Sequence, residues 1–258
     1  MKVNISLLQT DIEAGNYEKE FYKILSMLES LEILENHYVV LPELWLTGYA
    51  FSIMKEAHDF FQKNLSKFQD ILKNKSLNLI GSVPWVEHGN VTNRSLVFSD
   101  KGDIKNFYDK IHLFKPLEEN KYFCRGSRIV TERLTGFVFG VMLCYDIRFP
   151  ELAKALMLRG ANVIFVSAEW PETRIEQWIL LNRARALENQ IFIIACNRAG
   201  KSFGINFGGN SLIVDPKGEL ICQMGSKEES KSYEIELSDI YEAKKLFNVK
   251  NDTILHIN

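Results

Sequence analysis

The feature that most constrains this chain is a set of short runs with almost no polar face. Residues 38–41, 137–143 and 191–196 are apolar nearly from end to end, and 3–9 and 162–167 are mostly so. A strand with one wet face alternates apolar and polar side chains; a strand apolar throughout belongs in a sheet covered on both faces. The covers are legible too. Residues 17–34 carry Phe21, Ile24, Leu25, Leu28 and Leu31 at helical spacing, and further helices are expected at 59–74, 150–159, 174–188 and 239–247. Other strands come as hairpins: 91–98 with 104–108 around a turn cluster, and 211–214 with 219–223 around Asp215-Pro216-Lys217-Gly218. Strands at 77–83 and 233–237 complete the set, while 115–128 and the Gly-rich 200–210 read as loops. Helix-bearing crossovers alternating with antiparallel hairpins imply an α/β fold of mixed sheets with helices outside. No linker or repeat interrupts the pattern, so residues 1–258 are expected to form a single domain. Residues 248–258 read as a tail whose Ile254, Leu255 and Ile257 are available to dock on a partner subunit.

Charge narrows the partners. Lys+Arg of 31 against Asp+Glu of 33 leaves a formal charge of -2, which offers no basic face to nucleic acid or to an anionic membrane. No apolar stretch approaches the length of a membrane span. Residues 1–11, with one lysine and a short apolar run broken by Gln9, do not read as a signal peptide. The four cysteines, Cys124, Cys144, Cys196 and Cys222, are scattered without a C-x-x-C pair. That spacing argues against a zinc site and a disulfide scaffold, and it fits a reducing cytoplasm.

Polar residues at the ends of apolar strands are the places to look for chemistry. The strand 137–143 climbs to Cys144, and Pro150 opens the helix beyond it, a favoured first helical position for proline. A thiol on such a strand-to-helix turn has backbone N–H groups and a helix dipole nearby, both of which favour thiolate or oxyanion. A buried structural cysteine is the alternative. Glu43 follows the strand 38–41 in apolar company beside Trp45, where burial would raise its pKa toward that of a general base; a solvated loop carboxylate is the alternative. Lys110 stands between a strand and the apolar patch Ile111-His112-Leu113-Phe114, with a surface ion pair to Asp109 as its plainer reading. His112 reads as a packed, hydrogen-bonded histidine more than as the partner of a Cys–His dyad.

Pro42-Glu43-Leu44, Asp109-Lys110-Ile111-His112-Leu113-Phe114 and Cys144-Tyr145-Asp146-Ile147-Arg148-Phe149-Pro150-Glu151-Leu152, in that order, resemble the nitrilase (carbon–nitrogen hydrolase) superfamily. So do Trp170-Pro171-x-x-Arg174, the run from Arg183 to Gln190, and Asn197-Arg198-x-Gly200. The resemblance spans nearly the whole chain. It implies a four-layer α-β-β-α sandwich that pairs into a homodimer, no cofactor and no metal, and a Glu-Lys-Cys triad carried here by Glu43, Lys110 and Cys144. It also implies a second glutamate in the loop between lysine and cysteine, where Glu118 and Glu119 both qualify and family spacing favours Glu119. Cys144 would attack an amide carbon, Lys110 and the backbone N–H of Tyr145 would hold the oxyanion, and Glu43 would move the protons. Trp170 falls in the substrate-pocket position, and Arg148 and Arg174 are the candidates to hold an anionic substrate end, unless Arg148 pairs with Glu151 instead. Within the superfamily the Trp-Pro-x-x-Arg and Arg-Ala-x-Glu-Asn-Gln combination looks most like ω-amidases acting on 2-oxo acid amides such as 2-oxoglutaramate or 2-oxosuccinamate. N-carbamoyl and nitrile hydrolysis use the same triad and remain alternatives, as does a non-enzymatic reactive-thiol scaffold.

Overall fold

The computed structural model describes residues 1–254. β1 (Lys2–Gln9) leads through α1 (Tyr17–Ser30) to β2 (His37–Val40), and α2 (Met54–Lys75) leads on to β3 (Leu77–Glu87). Each helical crossover brings the chain back in the same direction, so these three strands lie parallel. β4 (Asn90–Phe98) and β5 (Ile104–Asp109) then fold back as an antiparallel meander. A short α3 (Glu119–Tyr122) precedes the hairpin β6 (Thr131–Leu134) and β7 (Phe137–Leu143). From there α4 (Pro150–Leu158), β8 (Val163–Ala168), α5 (Ile175–Asn189) and β9 (Phe192–Asn197) repeat the parallel crossover pattern. β10 (Lys201–Ser202) and β11 (Ile205–Asn206) form a small separate hairpin. β12 (Leu212–Val214), β13 (Leu220–Gln223), β14 (Glu229–Glu236) and α6 (Ser238–Lys244) complete the order.

Two six-stranded sheets result, ordered β14-β1-β2-β3-β4-β5 and β13-β12-β9-β8-β7-β6, both mixed. Their inner faces meet in a core where Tyr38 of β2 stacks on Phe165 of β8 with ring centroids 5.5 Å apart. Outside the first sheet, α1 and α2 pack an aromatic cluster of Phe21, Phe61 and Phe68 against Trp45. Outside the second lie α4 and α5, with Leu156 of α4 seated on Gly140 of β7. A Cβ on Gly140 would come within 2.7 Å of Leu156 Cδ2, so glycine there lets helix and strand close. Helix, sheet, sheet, helix is the four-layer order that the family resemblance implies, and among the described residues no helix is long and apolar enough to cross a membrane.

The differences from expectation are local. α2 begins at Met54 and β3 runs on to Glu87, because half-buried Trp85 and Val86 extend the pairing with β4. Residues 115–128 hold α3, and the Gly-rich segment holds the β10–β11 hairpin, where short polar sequences give no periodicity to read. The start of the tail is tied to its own chain: Gln190 Nε2 donates to the Ala243 and Phe247 carbonyls, and the Val249 N–H donates to Gln190 Oε1. Ile254 is exposed, and Leu255 and Ile257, named with it for partner docking, lie outside the described residues.

Candidate active site

Lys110, Cys144 and Glu169 directly follow the last residues of β5, β7 and β8, and Glu43 lies three residues beyond the end of β2. All four strands run in the same sense within their sheets, so these residues gather at one rim, the carboxyl end, where open α/β sheets leave room for ligands. Backbone conformation marks the same rim. Leu44 (φ 43°) and Cys144 (φ 44°) both sit in the left-handed region, which non-glycine residues adopt at a cost unless the surroundings hold them there.

At the base of the rim lies an ion chain with no solvent access. The Lys110 ammonium donates to Glu43 Oε1 at 2.7 Å and to Glu119 Oε1 at 2.8 Å, and all three side chains are 0 % exposed. Both carboxylates accept further bonds. Glu43 Oε1 also accepts from Asn93 Nδ2 at 2.8 Å, and Oε2 from the Tyr49 hydroxyl at 3.0 Å and the Glu169 N–H at 3.3 Å. Glu119 Oε2 accepts from the Phe114 N–H at 2.9 Å. Burial works against the Lys110 charge, but Glu119 and Glu43 outweigh it and hold the ammonium well above the ordinary lysine range. An ammonium has three donors and two are committed, which leaves one for a third oxygen. Burial, against the pull of Lys110, keeps the Glu119 carboxyl above its usual range. Lys110 is held in register by its backbone: its N–H bonds Asn93 and its carbonyl accepts from Gly126, where a side chain would strike the Asp109 carbonyl.

Glu118 and Glu119 part company sharply. Glu118 takes a left-handed conformation (φ 58°) ahead of α3 and pairs on the surface with Lys121, whereas Glu119 turns inward to Lys110. Cys144 lies 7 % exposed at the start of a 3-10 turn over Cys144–Arg148. Asp146 ties that turn across to the lysine segment, accepting from the Leu143 N–H (2.9 Å), the Tyr108 hydroxyl (2.7 Å) and the His112 N–H (3.1 Å). His112 Nδ1 lies 2.7 Å from Asp146 Oδ1, and its ring stacks on Phe149, so it is a packed, hydrogen-bonded histidine whose ring partner is Asp146 and not Cys144. Sequence placement at a helix N-terminus favours a thiolate at Cys144; the structure reverses that sign. Burial, followed by the Glu43 carboxylate, outweighs Lys110 and holds the thiol well above its usual range. Cys196 is fully buried in β9, away from the rim, with its thiol pushed up to about 12.

A cavity of about 390 Å³ opens above Cys144. Tyr145, Arg148, Trp170 and Arg174 all line it, so the sequence-chosen pocket residues do converge there. Arg148 does not pair with Glu151: it donates to Gln177 Oε1 and lies 4.8 Å over the Trp170 ring. Arg174 lies 5.5 Å over the Phe114 ring. Trp170 is anchored by its own indole N–H on the Arg174 carbonyl at 2.8 Å. Glu43, Lys110 and Glu119 sit behind this lining, next to Cys144.

Asn93, Tyr49, Asp146 and the Glu169–Arg198 pair are the contributors that reading the sequence missed. Glu169 stands in Ala168-Glu169-Trp170-Pro171 and carried a signal as a polar residue in apolar company, whereas Asn93 lies among Thr92, Arg94 and Ser95 and carried none. Arg198 Nη1 donates to Glu169 Oε2 at 2.6 Å with both side chains 0 % exposed. Burial, against the pull of Arg198, pushes the Glu169 carboxyl up to about 7.

Comparison with known proteins gives the chain its family. The Carbon-nitrogen hydrolase family matches residues 4–245. A 2-oxoglutaramate amidase of Bacillus subtilis (strain 168) is 35% identical over 254 residues, covering 98% of this chain and 98% of that one. The omega-amidase YafV of Escherichia coli (strain K12) is 31% identical over 186 residues, 71% of each chain. Among solved structures, a CN-hydrolase superfamily protein of Xanthomonas campestris with an arsenic adduct in its active site superposes with a TM-score of 0.92, at 24% identity, over 100% of this chain and 99% of its own. A family match over nearly the full length, on a chain whose thiol, ammonium and carboxylates already meet at one rim, gives the assignment: this protein belongs to the carbon–nitrogen hydrolase family.

Proposed function

We propose that this carbon–nitrogen hydrolase is a cofactor-free ω-amidase, cleaving the terminal amide of a small 2-oxo acid amide such as 2-oxoglutaramate or 2-oxosuccinamate. The observation that carries the reading is the buried Glu43–Lys110–Glu119 ion chain beside Cys144, under a cavity with two arginines on its wall. The names of the Bacillus and Escherichia relatives support the substrate class.

Because the resting thiol is neutral, the nucleophile has to be made during the reaction. Glu43 takes the Cys144 proton as sulfur attacks the amide carbon. The oxyanion is met by the third donor of Lys110 and by the Tyr145 N–H, which lies in the first turn of the Cys144–Arg148 segment, where backbone donors lack an intrahelical acceptor. The C–N bond then breaks as Glu43 passes its proton to nitrogen, releasing ammonia and leaving an acyl thioester. Water gives a proton to Glu43 and attacks the thioester, and the returning proton restores the thiol as the acid departs. Glu119 holds Lys110 in place and charged.

The arginines supply the substrate class. Neither Arg148 nor Arg174 has a carboxylate within ion-pair reach among the described residues, while both line the cavity. A planar guanidinium is the natural partner for a carboxylate with an adjacent oxo group. Glu172 also lines the cavity, bonded to Asn206, and bars a uniformly cationic wall. Ammonia release from a panel of amides tests the reading: kcat/KM for 2-oxoglutaramate or 2-oxosuccinamate is expected well above that for butyramide. Faster turnover of N-carbamoyl compounds or nitriles would overturn the assignment, and no turnover of anything would favour a thiol scaffold. Arg174→Ala removes an anchoring ion pair worth about 2–5 kcal/mol, and its loss should fall on the oxo acid amides and spare neutral ones.

The homodimer belongs to the same proposal. On α5, Leu180 is 67 % and Leu187 57 % exposed seven residues apart, and Leu246 and Phe247 are exposed beyond α6. Exposed leucines on one helix face suit burial against a second copy. Sedimentation of the protein at micromolar concentration is expected to give twice 29.8 kDa, and Leu180→Glu with Leu187→Glu to give the monomer. A monomeric wild type sinks this part. With four free thiols among its cysteines, we place the enzyme in the cytoplasm.

A further inference from the structure

Glu169 Oε1 is buried and has no hydrogen-bond partner. Among the described residues, it is the one unpartnered buried side-chain atom whose residue also lines the cavity above Cys144. Its sister oxygen, Oε2, is held by Arg198, whose other donors reach the Ile12 and Ala199 carbonyls. The carboxylate is therefore fixed in place while half of it goes unused. A buried acceptor left unmade is costly. Protonation does not cure the defect, because the resulting O–H is a buried donor with nothing to accept it.

The substrate chemistry supplies what is missing. A carboxamide brings two N–H donors on the nitrogen that must leave. Glu43 cannot serve both: each of its oxygens already accepts two bonds, from Lys110 and Asn93 on one side and from Tyr49 and the Glu169 N–H on the other. Glu169 is also next to the nucleophile, since its backbone N–H bonds Cys144 as well as Glu43.

We propose that Glu169 is the amide-selecting residue of this site: its Oε1 accepts a hydrogen bond from the –NH2 of the substrate, so the site favours carboxamides over acyl compounds of the same shape that lack an N–H. The role rests on the amidase reading above. It concerns the leaving nitrogen alone, whereas Arg148 and Arg174 concern the far end of the substrate.

The test compares each amide with its methyl ester, because both acylate Cys144 to the same thioester and differ only in the group that leaves. Two pairs are measured, 2-oxoglutaramate with its 5-methyl ester and butyramide with methyl butyrate. In Glu169→Gln the side-chain oxygen stays on Arg198 and the cavity receives a donor in place of an acceptor. The expected result is a fall of about 10- to 100-fold in kcat/KM for the amides with the esters nearly unchanged, the usual weight of one hydrogen bond to a charged group. Glu169→Asp keeps the charge for Arg198 but withdraws the carboxylate by one methylene, and it should show the same selective loss if the Gln variant folds poorly. Parallel loss on amide and ester would mean that Glu169 acts only through its ion pair with Arg198, and no loss on either would mean that it does not meet the substrate; both overturn the proposal. Failure of the wild type on 2-oxoglutaramate alone would sink the substrate assignment, and the butyramide pair would still decide the role of Glu169.

Discussion

Glu43→Gln is expected to lower kcat by about 10²–10⁴-fold, the range for loss of a general acid–base group, with both halves of the reaction affected. The site makes this variant unusually informative. Gln can keep an oxygen toward Lys110 and Asn93, so the ion chain loses charge but not shape. Its amide nitrogen then faces the Tyr49 hydroxyl, which can rotate to accept, and the Glu169 N–H, which cannot. Moderate destabilisation follows, with a folded protein. Because burial holds the Cys144 thiol well above its usual range, no resting thiolate is there to bypass the missing base. Rapid-quench measurement of ammonia should therefore show neither a burst nor steady turnover. A full burst followed by a stalled thioester would show that another group deprotonates Cys144, and Glu119 would be the next candidate.

Lys110→Ala is expected to lower kcat by about 10²–10³-fold, the loss typical of one oxyanion donor, and also to destabilise the fold. The second effect follows from where the lysine sits. It lies between two carboxylates that are 0 % exposed, and removing one partner from a buried ion pair costs about 3–5 kcal/mol because the other charge is stranded. A lost activity in this variant alone would therefore be ambiguous. Lys110→Met combined with Glu119→Gln removes one charge of each sign, so the buried cluster returns to its original net charge. Thermal unfolding of this pair should recover most of the wild-type stability while turnover stays at the Lys110→Ala level. Recovery of turnover along with stability would reduce Lys110 to a structural group. A base role for Lys110 is not expected at any working pH, since Glu119 and Glu43 hold its ammonium above the ordinary lysine range.

The local order of this protein could be read from its residues because strand and helix signals are short-range. Apolar runs without a polar face announced a sheet covered on both sides, and the helical spacing of Phe21, Ile24, Leu25 and Leu28 announced one of its covers. Polar residues just beyond apolar strands drew attention to Glu43 and Cys144, while Lys110, with a surface ion pair as its plainer reading, joined them only through the family resemblance. Four things needed the tertiary structure. The inward turn of Glu119 and the outward turn of Glu118 depend on a left-handed residue at 118, which no side-chain pattern announces. Arg148 choosing Gln177 and the Trp170 ring over Glu151 depends on α5 packing beside the Cys144 turn. The Glu169–Arg198 pair joins residues 29 positions apart at the ends of neighbouring parallel strands. The sign of the Cys144 shift was decided last, because a helix N-terminus is a local feature while burial and the approach of Glu43 from the opposite sheet are not. Sequence carries the identity and local setting of each charged group; only folding sets how much water is removed from it and which charges it faces, and those two terms fix its chemistry.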